Sequence, residues 1–354
     1  MNRAPIRLLV LGLLALLLVA CGKSDPPATP AANTPSTPAP DPTEATSLTI
    51  YSGRSKAMVQ SIFDAFTKET GIALDVRYGD TTALANTLLE EGDASPADLF
   101  FAQDAGALGA LKKANRLVKL PDTTLAKVDK RFASPDGMWV GTSGRARVVA
   151  YNTDKLKPED LPKSIMDFTD PKWKGRIGWP PSNASFQAFV SALRLAKGED
   201  AARQWLTGIV ANEPRVYPKN GPAVKGVAGG EVDIAFVNHY YLFVQKKEAG
   251  DGPFPVANYF PAGDLGGMMN VAGVGILSTS KKAAAAQRLV DWLLSEPAQK
   301  VFAHDNFEYP LAANVAPADG IPPITALDLP TVELGELHDL EATLKLLRET
   351  KALP

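Results

Sequence analysis

The chain has 354 residues, of which 45% are hydrophobic and 21% are charged, and its formal net charge at pH 7 is −2. These proportions are typical of a globular domain, and the sequence has no basic tail or stripe of the kind that nucleic-acid-binding proteins carry. The only cysteine, Cys21, has no partner for an intramolecular disulfide, so the fold must be stabilised by its core.

Residues 1–20 are predicted to be a lipoprotein signal peptide. Two arginines precede an apolar run, Leu8 to Ala20, which is too short to span a bilayer as a helix. The run ends in "LVAC", which resembles a bacterial lipobox and implies that Cys21 becomes the lipidated N-terminus. The residue after Cys21 is Gly22 rather than Asp. In Gram-negative lipoproteins this favours sorting of the lipoprotein to the outer membrane. The alternative is a cysteine that follows an uncleaved signal by coincidence.

Residues 21–46 are predicted to be a disordered tether. The segment is rich in Pro, Ala and Thr and holds no large apolar side chain, so it cannot bury enough surface to fold. Such a segment is extended and semi-rigid, and it would hold a globular domain away from a membrane.

The next 70 residues alternate between predicted strands and helices. Ser47 to Tyr51 is a short strand, and the apolar residues that follow recur at helical spacing up to a capping glycine, Gly71. The remaining elements of this part are an alternating strand "IALDVRY", a capped helix "GDTTALANTLLEEGD", a buried strand "ADLFFA" and a helix "AGALGALKKAN". This order is typical of a parallel sheet.

The alternation resumes after "SGRARVVAYN", Ser143 to Asn152. The predicted elements are helices at "SFQAFVSALRLAKG" and "DAARQWLTGIVAN", strands at "VDIAFV" and "VAGVGILSTS", one long helix at "KKAAAAQRLVDWLLSEPAQKVFA" and a last helix at "LHDLEATLKLLRET". The globular part, roughly 300 residues, is long enough for two α/β lobes. In such sheets ligands bind beyond the carboxyl ends of strands, where helix N-termini point.

Motifs for enzyme chemistry are absent from the sequence. The chain has only 3 histidines and contains no HExxH, GxSxG, P-loop or GxGxxG motif. No nucleophile–base arrangement is visible, so we predict that the protein is not an enzyme. A periplasmic enzyme on the same scaffold stays the less favoured alternative.

Two adjacent tyrosines, Tyr240 and Tyr241, follow the predicted strand "VDIAFV". In the first turn of a helix they would diverge by about 100°, so both hydroxyls can reach one cavity. Phenolates are hard anionic donors that suit ferric iron, and a bound cation can displace protons that otherwise titrate near pH ~10. The spacing alone leaves open that the tyrosines pack in the core or cap the helix.

From Leu48 to about Val315 the chain resembles the bacterial periplasmic ferric-ion-binding proteins, the solute receptors of iron(III) ABC transporters. Seven blocks carry the resemblance in order: "IYSGRSKA", "EEGDASPADLFFAQDAGAL", "SGRARVVAYNTDKL", "PKWKGRIG", "YPKNGPAV", "GEVDIAFVNHYY" and "EYPLAANV".

The resemblance implies the two-lobed α/β fold of type II periplasmic binding proteins, with a mostly parallel sheet and flanking helices in each lobe. The ligand cleft lies between the lobes, which are joined by crossover strands that include "RARVVAYN". Lobe 1 is expected to comprise 47–147 and about 273–322, and lobe 2 about 148–272 and about 323–354.

The same resemblance implies the site residues. Tyr240 and Tyr241 match the paired ferric ligands of the family. The synergistic anion, carbonate or phosphate, is expected on the backbone of Asn183, Ala184 and Ser185, on Asn220 and on Asn238. A helix N-terminus favours an anion through its free N–H groups and its dipole, although Asn and Ser at such places are more often simple N-caps.

The chain departs from the family at several ligand positions. Ser55 stands where many members have His, and Gln103 stands where many have Glu, so neither is more than a possible metal ligand. An additional Tyr that others have near Ser185 is absent. Asp104 is a substitute for Gln103 if the loop turns differently. Arg54 suits carbonate through its fork of donors, and its alternative is a solvated loop charge.

We therefore predict a monomeric, lipid-anchored periplasmic receptor that captures Fe(III) with an anion and delivers it to a separate permease and ATPase. The alternative cargoes are a phosphonate, a phosphate ester or a ferric chelate.

Overall fold

The computed structural model describes residues 46–353. The predicted signal peptide, the lipidation site Cys21 and the tether lie outside the described residues, apart from residue 46. The described strands are β1 (Ser47–Ser52), β2 (Ala73–Tyr78), β3 (Leu99–Ala102), β4 (Val140–Asn152), β5 (Ile177–Trp179), β6 (Arg215–Val216), β7 (Ile234–Asn238), β8 (Val256–Tyr259), β9 (Met269–Ile276) and β10 (Tyr309–Pro310).

The described α-helices are α1 (Lys56–Thr70), α2 (Thr81–Glu91), α3 (Ala105–Lys113), α4 (Asp122–Leu125), α5 (Ala184–Lys197), α6 (Glu199–Ala211), α7 (Asn220–Ala228), α8 (Tyr240–Ala249), α9 (Ala283–Leu293), α10 (Glu296–Lys300) and α11 (Leu340–Glu349). Across residues 46–353, none of the helices combines the length and the hydropathy that a membrane crossing needs.

The first part of the sheet confirms the predicted strand–helix alternation. β1 pairs in parallel with β2 on one side and with β3 on the other. α1 buries its apolar face, and Gly71 ends it with a φ of 73°, a left-handed conformation in which glycine has no steric penalty. Asp80 caps α2 by accepting hydrogen bonds from the N–H groups of Thr82 and Ala83.

The long strand β4 changes partners half-way along its length. From Val140 to Ala146 it pairs with β9, and from Arg147 to Tyr151 it pairs with β7. The sheet order is β2-β1-β3-β9-β4-β7-β5-β6, and β10 and β8 also pair with β4. The predicted crossover strand is therefore one continuous element that connects two groups of strands.

Each group of strands has apolar helices packed on it. Phe63 and Phe66 of α1 pack with Leu289 of α9 against the group that contains β1 and β3. Val224 of α7 packs with Val237 of β7 in a separate cluster on the other group. The exact lobe boundaries stay a prediction.

The segment 281–303 is not one long helix, so that prediction is wrong. α9 ends at Leu293, and α10 begins at Glu296 with Pro297 in its first turn. A proline inside a helix has no N–H to donate and its ring clashes with the carbonyl four residues earlier, here that of Leu293. The helix therefore ends and restarts with the proline at a position that helices tolerate.

Candidate functional site

The tyrosine pair lies at the junction between β7 and α8. β7 ends at Asn238, and α8 begins at Tyr240, so the pair follows a strand end, as predicted, and stands in the first turn of a helix. The rings of Tyr240 and Tyr241 stack with centroids 4.2 Å apart and planes 29° apart. The two side chains thus lie side by side rather than diverging, and their hydroxyl groups are close enough to interact.

Tyr240 is only 8% exposed. Burial raises its pKa well above the ordinary value, the neighbouring Tyr241 and Glu308 raise it further, and Arg145 opposes the shift. The phenol is therefore protonated near neutral pH unless a cation displaces the proton. Such a group binds a strongly charged cation by exchanging a proton for the metal.

Two arginines on β4 face this junction, and the sequence analysis did not single them out. Arg145 and Arg147 are two residues apart on a strand, so they point to the same face. They are 2% and 4% exposed. Arg145 donates to the carbonyl of Gln103, and Arg147 donates to Asn238 Oδ1 at 3.2 Å.

Neither Arg145 nor Arg147 forms an ion pair with a carboxylate within residues 46–353. Burial lowers the pKa of Arg147 to about 9, while Tyr240 and Tyr241 oppose that shift. The guanidinium of Arg147 also lies 5.7 and 5.5 Å from the ring centroids of Phe186 and Phe189. Buried positive charge without a carboxylate in direct contact is costly, so these side chains favour an anion in the adjoining space.

The predicted anion-binding residues come together at two helix N-termini. Asn183 is the N-cap of α5, and its Oδ1 accepts from the Ser185 N–H at 3.0 Å and from Asn220 Nδ2 at 3.1 Å. Ala184 is the first residue of α5, and Asn220 is the first residue of α7. Asn220 is fully buried, and its Oδ1 has no hydrogen-bond partner in the described part of the chain. Asn183 thus acts as an N-cap and also links the two helices.

Arg54 is not a solvated loop charge, because it is 2% exposed. Its Nη2 donates to both carboxylate oxygens of Glu308, at 2.7 and 2.8 Å. Ser143 Oγ donates to the same carboxylate at 2.6 Å. This buried pair ties the end of β1 to the chain before β10 and occupies the guanidinium that was predicted to hold carbonate.

The remaining residues that were predicted as possible metal ligands offer few oxygen atoms that are free to bind a metal. Ser55 is exposed at the start of α1, and its side chain makes no capping bond to that described helix. Asp104 caps α3 by accepting from the Ala107 N–H at 3.3 Å, and burial raises its pKa. Gln103 is bonded through its backbone to Thr81 and Arg145. Residues 46–353 contain no group of three His, Cys, Asp or Glu side chains that could hold a metal.

His239 joins the tyrosine pair to the strand where the partners change. Its Nδ1 accepts from the Ala146 N–H at 3.2 Å, and its carbonyl accepts from Asn258 Nδ2 at 2.8 Å. It is fully buried, which lowers its pKa to about 4. The imidazole is therefore neutral at physiological pH and fixes the start of α8 against β4.

The profile of the family described as "Bacterial extracellular solute-binding protein" matches residues 94–329, more than half of the chain. The chain belongs to this family.

Two curated relatives of this solute-binding protein are named for iron. The "Fe(3+)-binding periplasmic protein" of Serratia marcescens is 36% identical over 293 residues, which cover 82% of this chain and 86% of the relative. The "Major ferric iron-binding protein" of Neisseria meningitidis is 35% identical over 307 residues, which cover 85% and 92%.

Solved structures of the same kind superpose over most of the chain. Iron-bound HitA from Pseudomonas aeruginosa has a TM-score of 0.79 and 36% identity, and it covers 86% of this chain and 99% of its own. A Trichodesmium protein in complex with iron and citrate has a TM-score of 0.76 and 30% identity, with the same two coverages. These matches confirm the resemblance, the two-lobed periplasmic binding protein fold and a binding rather than catalytic role.

Sequence reasoning missed Arg145, Arg147 and Glu308 in this solute-binding protein. Arg and Glu are almost never fully buried unless they are paired, so charges inside the apolar strand "RARVVAYN" were a signal that could have found the arginines. The Arg54–Glu308 pair joins residues 254 positions apart, and no local pattern reveals such a contact.

Proposed function

We propose that this solute-binding protein is the periplasmic receptor of an ABC importer and that it captures ferric iron with Tyr240 and Tyr241. The observation that carries the proposal is the stacked pair at the start of α8, beside two buried guanidinium groups that lack carboxylate partners in residues 46–353. The names of the Serratia and Neisseria relatives, which specify Fe(3+) and ferric iron, support iron as the cargo.

The tyrosine pair would act as a proton-exchanging iron ligand. In the ligand-free protein, burial keeps the phenol of Tyr240 protonated. A ferric ion displaces the phenol protons and gains two hard, anionic oxygen donors. The same burial excludes competing water and strengthens the interaction between each phenolate and the metal.

An anion would complete the site by balancing its charge. Two phenolates leave one positive charge on a ferric ion, and Arg145 and Arg147 add two more. A multiply charged anion such as carbonate or phosphate offsets most of this excess, which is costly in a buried site. We propose that the arginines hold this synergistic anion together with the residues of the two helix N-termini and the following strand end: Asn183, Ala184, Ser185, Asn220 and Asn238.

A ferric chelate is the second candidate cargo. The exposed Ser55 and the capping Asp104 leave much of the coordination sphere of a ferric ion unfilled. A polycarboxylate would fill these positions and neutralise both arginines. The Trichodesmium structure contains iron and citrate ligands. Mass spectrometry of the ligand released from purified protein separates the cargoes, because citrate, carbonate, a phosphonate and a phosphate ester differ in mass.

The remaining parts of the proposal concern delivery. The lobes would comprise 47–147 with about 273–322 and about 148–272 with about 323–354, and the change of partners along β4 at Arg147 supports a boundary there. Lobe closure would follow from ligand contacts to both lobes. A lipid on Cys21 would anchor a monomer at the outer membrane, and a separate permease and ATPase would receive the iron. Loss of incorporated radiolabelled fatty acid in Cys21→Ala tests the anchor.

A visible absorption titration with ferric citrate tests the proposed function. We expect a phenolate-to-iron charge-transfer band that saturates at one iron per protein and weakens or shifts in Tyr240→Phe and in Tyr241→Phe. Tyr78→Phe is the matched control, because the Tyr78 hydroxyl donates to Gln60 of α1 at 3.1 Å, and its band should equal that of the wild type. A colourless wild-type protein would overturn the ferric assignment and favour a phosphonate or phosphate ester.

A further inference from the structure

The C-terminal part of the chain is attached to both walls of the cleft. We call residues 329–339 the strap. Its 3₁₀ turn, Leu334–Glu336, packs on α3, and the strap leads directly into α11, which packs on α5. The N-termini of α3 and α5 carry candidate residues from the proposed lobes 1 and 2 respectively. The strap and α11 therefore connect two elements that must separate when the cleft opens.

The contact between the strap and α3 depends on glycine. A Cβ on Gly109 would lie 1.8 Å from the carbonyl oxygen of Gly335, and a Cβ on Gly106 would lie 2.7 Å from that of Leu337. Two glycines three residues apart on a helix share one face, so they let the strap backbone approach the helix closely. Leu334 and Leu337 are 4% and 6% exposed and anchor the strap at both ends of this contact.

The contact between α11 and α5 includes buried polar groups. Thr343 is fully buried, and its Oγ1 lies 2.7 Å from Ser191 Oγ and 2.8 Å from Arg194 Nη1. Arg194 also donates to Asp339 Oδ2 at 3.2 Å, and Arg203 of the following helix α6 pairs with Glu349 of α11 at 2.7 Å. α11 is thus fixed to the wall of the cleft that carries Asn183.

Very little chain separates the two attachments. Only His338 and Asp339 lie between the anchor Leu337 and the start of α11, and three fully extended residues span at most about 11 Å. A cavity of about 90 Å³ lies between α3, α5 and the strap. Asp104 and Gly106 line one wall, Ala184 lines the other, and Leu337 of the strap lies beside them. A larger separation of α3 from α5 therefore requires the strap to detach from α3.

We propose that the strap is a latch that holds the cleft closed. The strap must detach from its binding position on Gly106 and Gly109 of α3, which we call its seat, before the lobes separate. This inference rests on the proposed function, because the latch acts on cargo held between the lobes. While the strap is seated it resists separation of the cleft walls and slows the release of iron. Interaction with a permease would then have to overcome the latch as well as the metal bonds.

Gly109→Ala tests the latch without touching any candidate metal or anion ligand. We expect iron loaded as ferric citrate to be lost to excess EDTA about tenfold faster, on the scale of a population shift of ~1.4 kcal/mol. The charge-transfer band should keep its position, because the iron ligands are unchanged. Gly252→Ala is the control, since its Cβ would meet nothing closer than 3.7 Å. If Gly109→Ala fails to fold, Leu337→Ala weakens the same contact between the strap and α3 without adding volume.

Two further readouts separate failure of the latch from failure of the proposed function. Hydrogen exchange of strap amides should be faster in Gly109→Ala or Leu337→Ala than in the control, and small-angle scattering of the ligand-free variants should give a larger radius of gyration. Fast strap exchange with a wild-type radius of gyration would overturn the latch whether or not iron binds. Fast strap exchange with a wild-type rate of iron loss would overturn it as well. A colourless wild-type protein whose variants still expand would overturn the ferric assignment alone.

Discussion

Replacing Glu308 tests whether Arg54 is a structural residue or an anion-binding residue. Arg54 Nη2 lies 2.7 and 2.8 Å from the two carboxylate oxygens of Glu308, and the side chains are 1% and 0% exposed. Ser143 Oγ donates to the same carboxylate at 2.6 Å. Removing one partner of such a buried pair leaves an uncompensated charge, which costs about 3–5 kcal/mol.

We expect Glu308→Gln and Arg54→Met each to lower the free energy of unfolding by about that amount in urea denaturation of the ligand-free protein. The double variant Arg54→Met/Glu308→Gln removes both charges and should lose much less than the sum of the single losses.

The exposed pair between Lys225 and Glu248, 3.0 Å apart and 60% and 54% exposed, provides the control. Glu248→Gln should cost less than about 1 kcal/mol. If Arg54→Met left the free energy of unfolding unchanged and abolished iron binding, Arg54 would be an anion ligand and the structural assignment would be refuted.

Arg147→Met should stabilise the ligand-free protein, because it removes a buried guanidinium that has no carboxylate partner among the described residues. Calorimetry should show a higher Tm for Arg147→Met than for the wild type and no further rise with citrate, and a lower Tm would contradict the assignment. The free energy of unfolding should fall in acid, because the pKa of His239 is lowered from 6.5 to about 4 in the folded state. That contribution, about 3 kcal/mol, is fully present above about pH 6.5 and lost as the pH falls toward about 4, so urea unfolding should show a shallower acid decline in His239→Gln, and equal declines would refute it. Iron binding should release phenol protons, since the pKa of Tyr240 is raised well above its usual range. A weakly buffered titration should find about one proton fewer per iron in Tyr241→Phe, and an unchanged yield would exclude Tyr241 as a phenolate ligand.

Much of the fold was predictable because its signals are local. Apolar spacing located α1, and Asp80 and Gly71 marked one helix start and one helix end. The break between α9 and α10 was missed because the apolar pattern continues through Pro297, although proline chemistry decides the structure there. The change of partners along β4 depends on distant strands and has no local signature beyond the family resemblance.

The candidate site was only partly predictable for the same reason. Adjacent tyrosines at a strand end are visible in the sequence, but no apolar periodicity marks α8, so their place in its first turn was only one arrangement that the sequence allowed. Whether a charged side chain is paired depends on contacts across the fold, so the sequence reveals neither the Glu308 partner of Arg54 nor the burial of Arg145 and Arg147. All three guanidinium groups are buried, and the presence or absence of a carboxylate partner, which the sequence does not display, decides which of them favours an anion.

Resonance Raman spectroscopy of the iron-loaded protein, excited within its visible band, tests the central claim most directly. Coordination of iron by both phenolates predicts enhanced tyrosinate ring modes that shift when the tyrosines are ring-deuterated, and a loss of about half their intensity in Tyr240→Phe and in Tyr241→Phe. Stoichiometric iron in a protein that shows no tyrosinate modes would contradict this coordination, because the metal would then be held without the tyrosine pair.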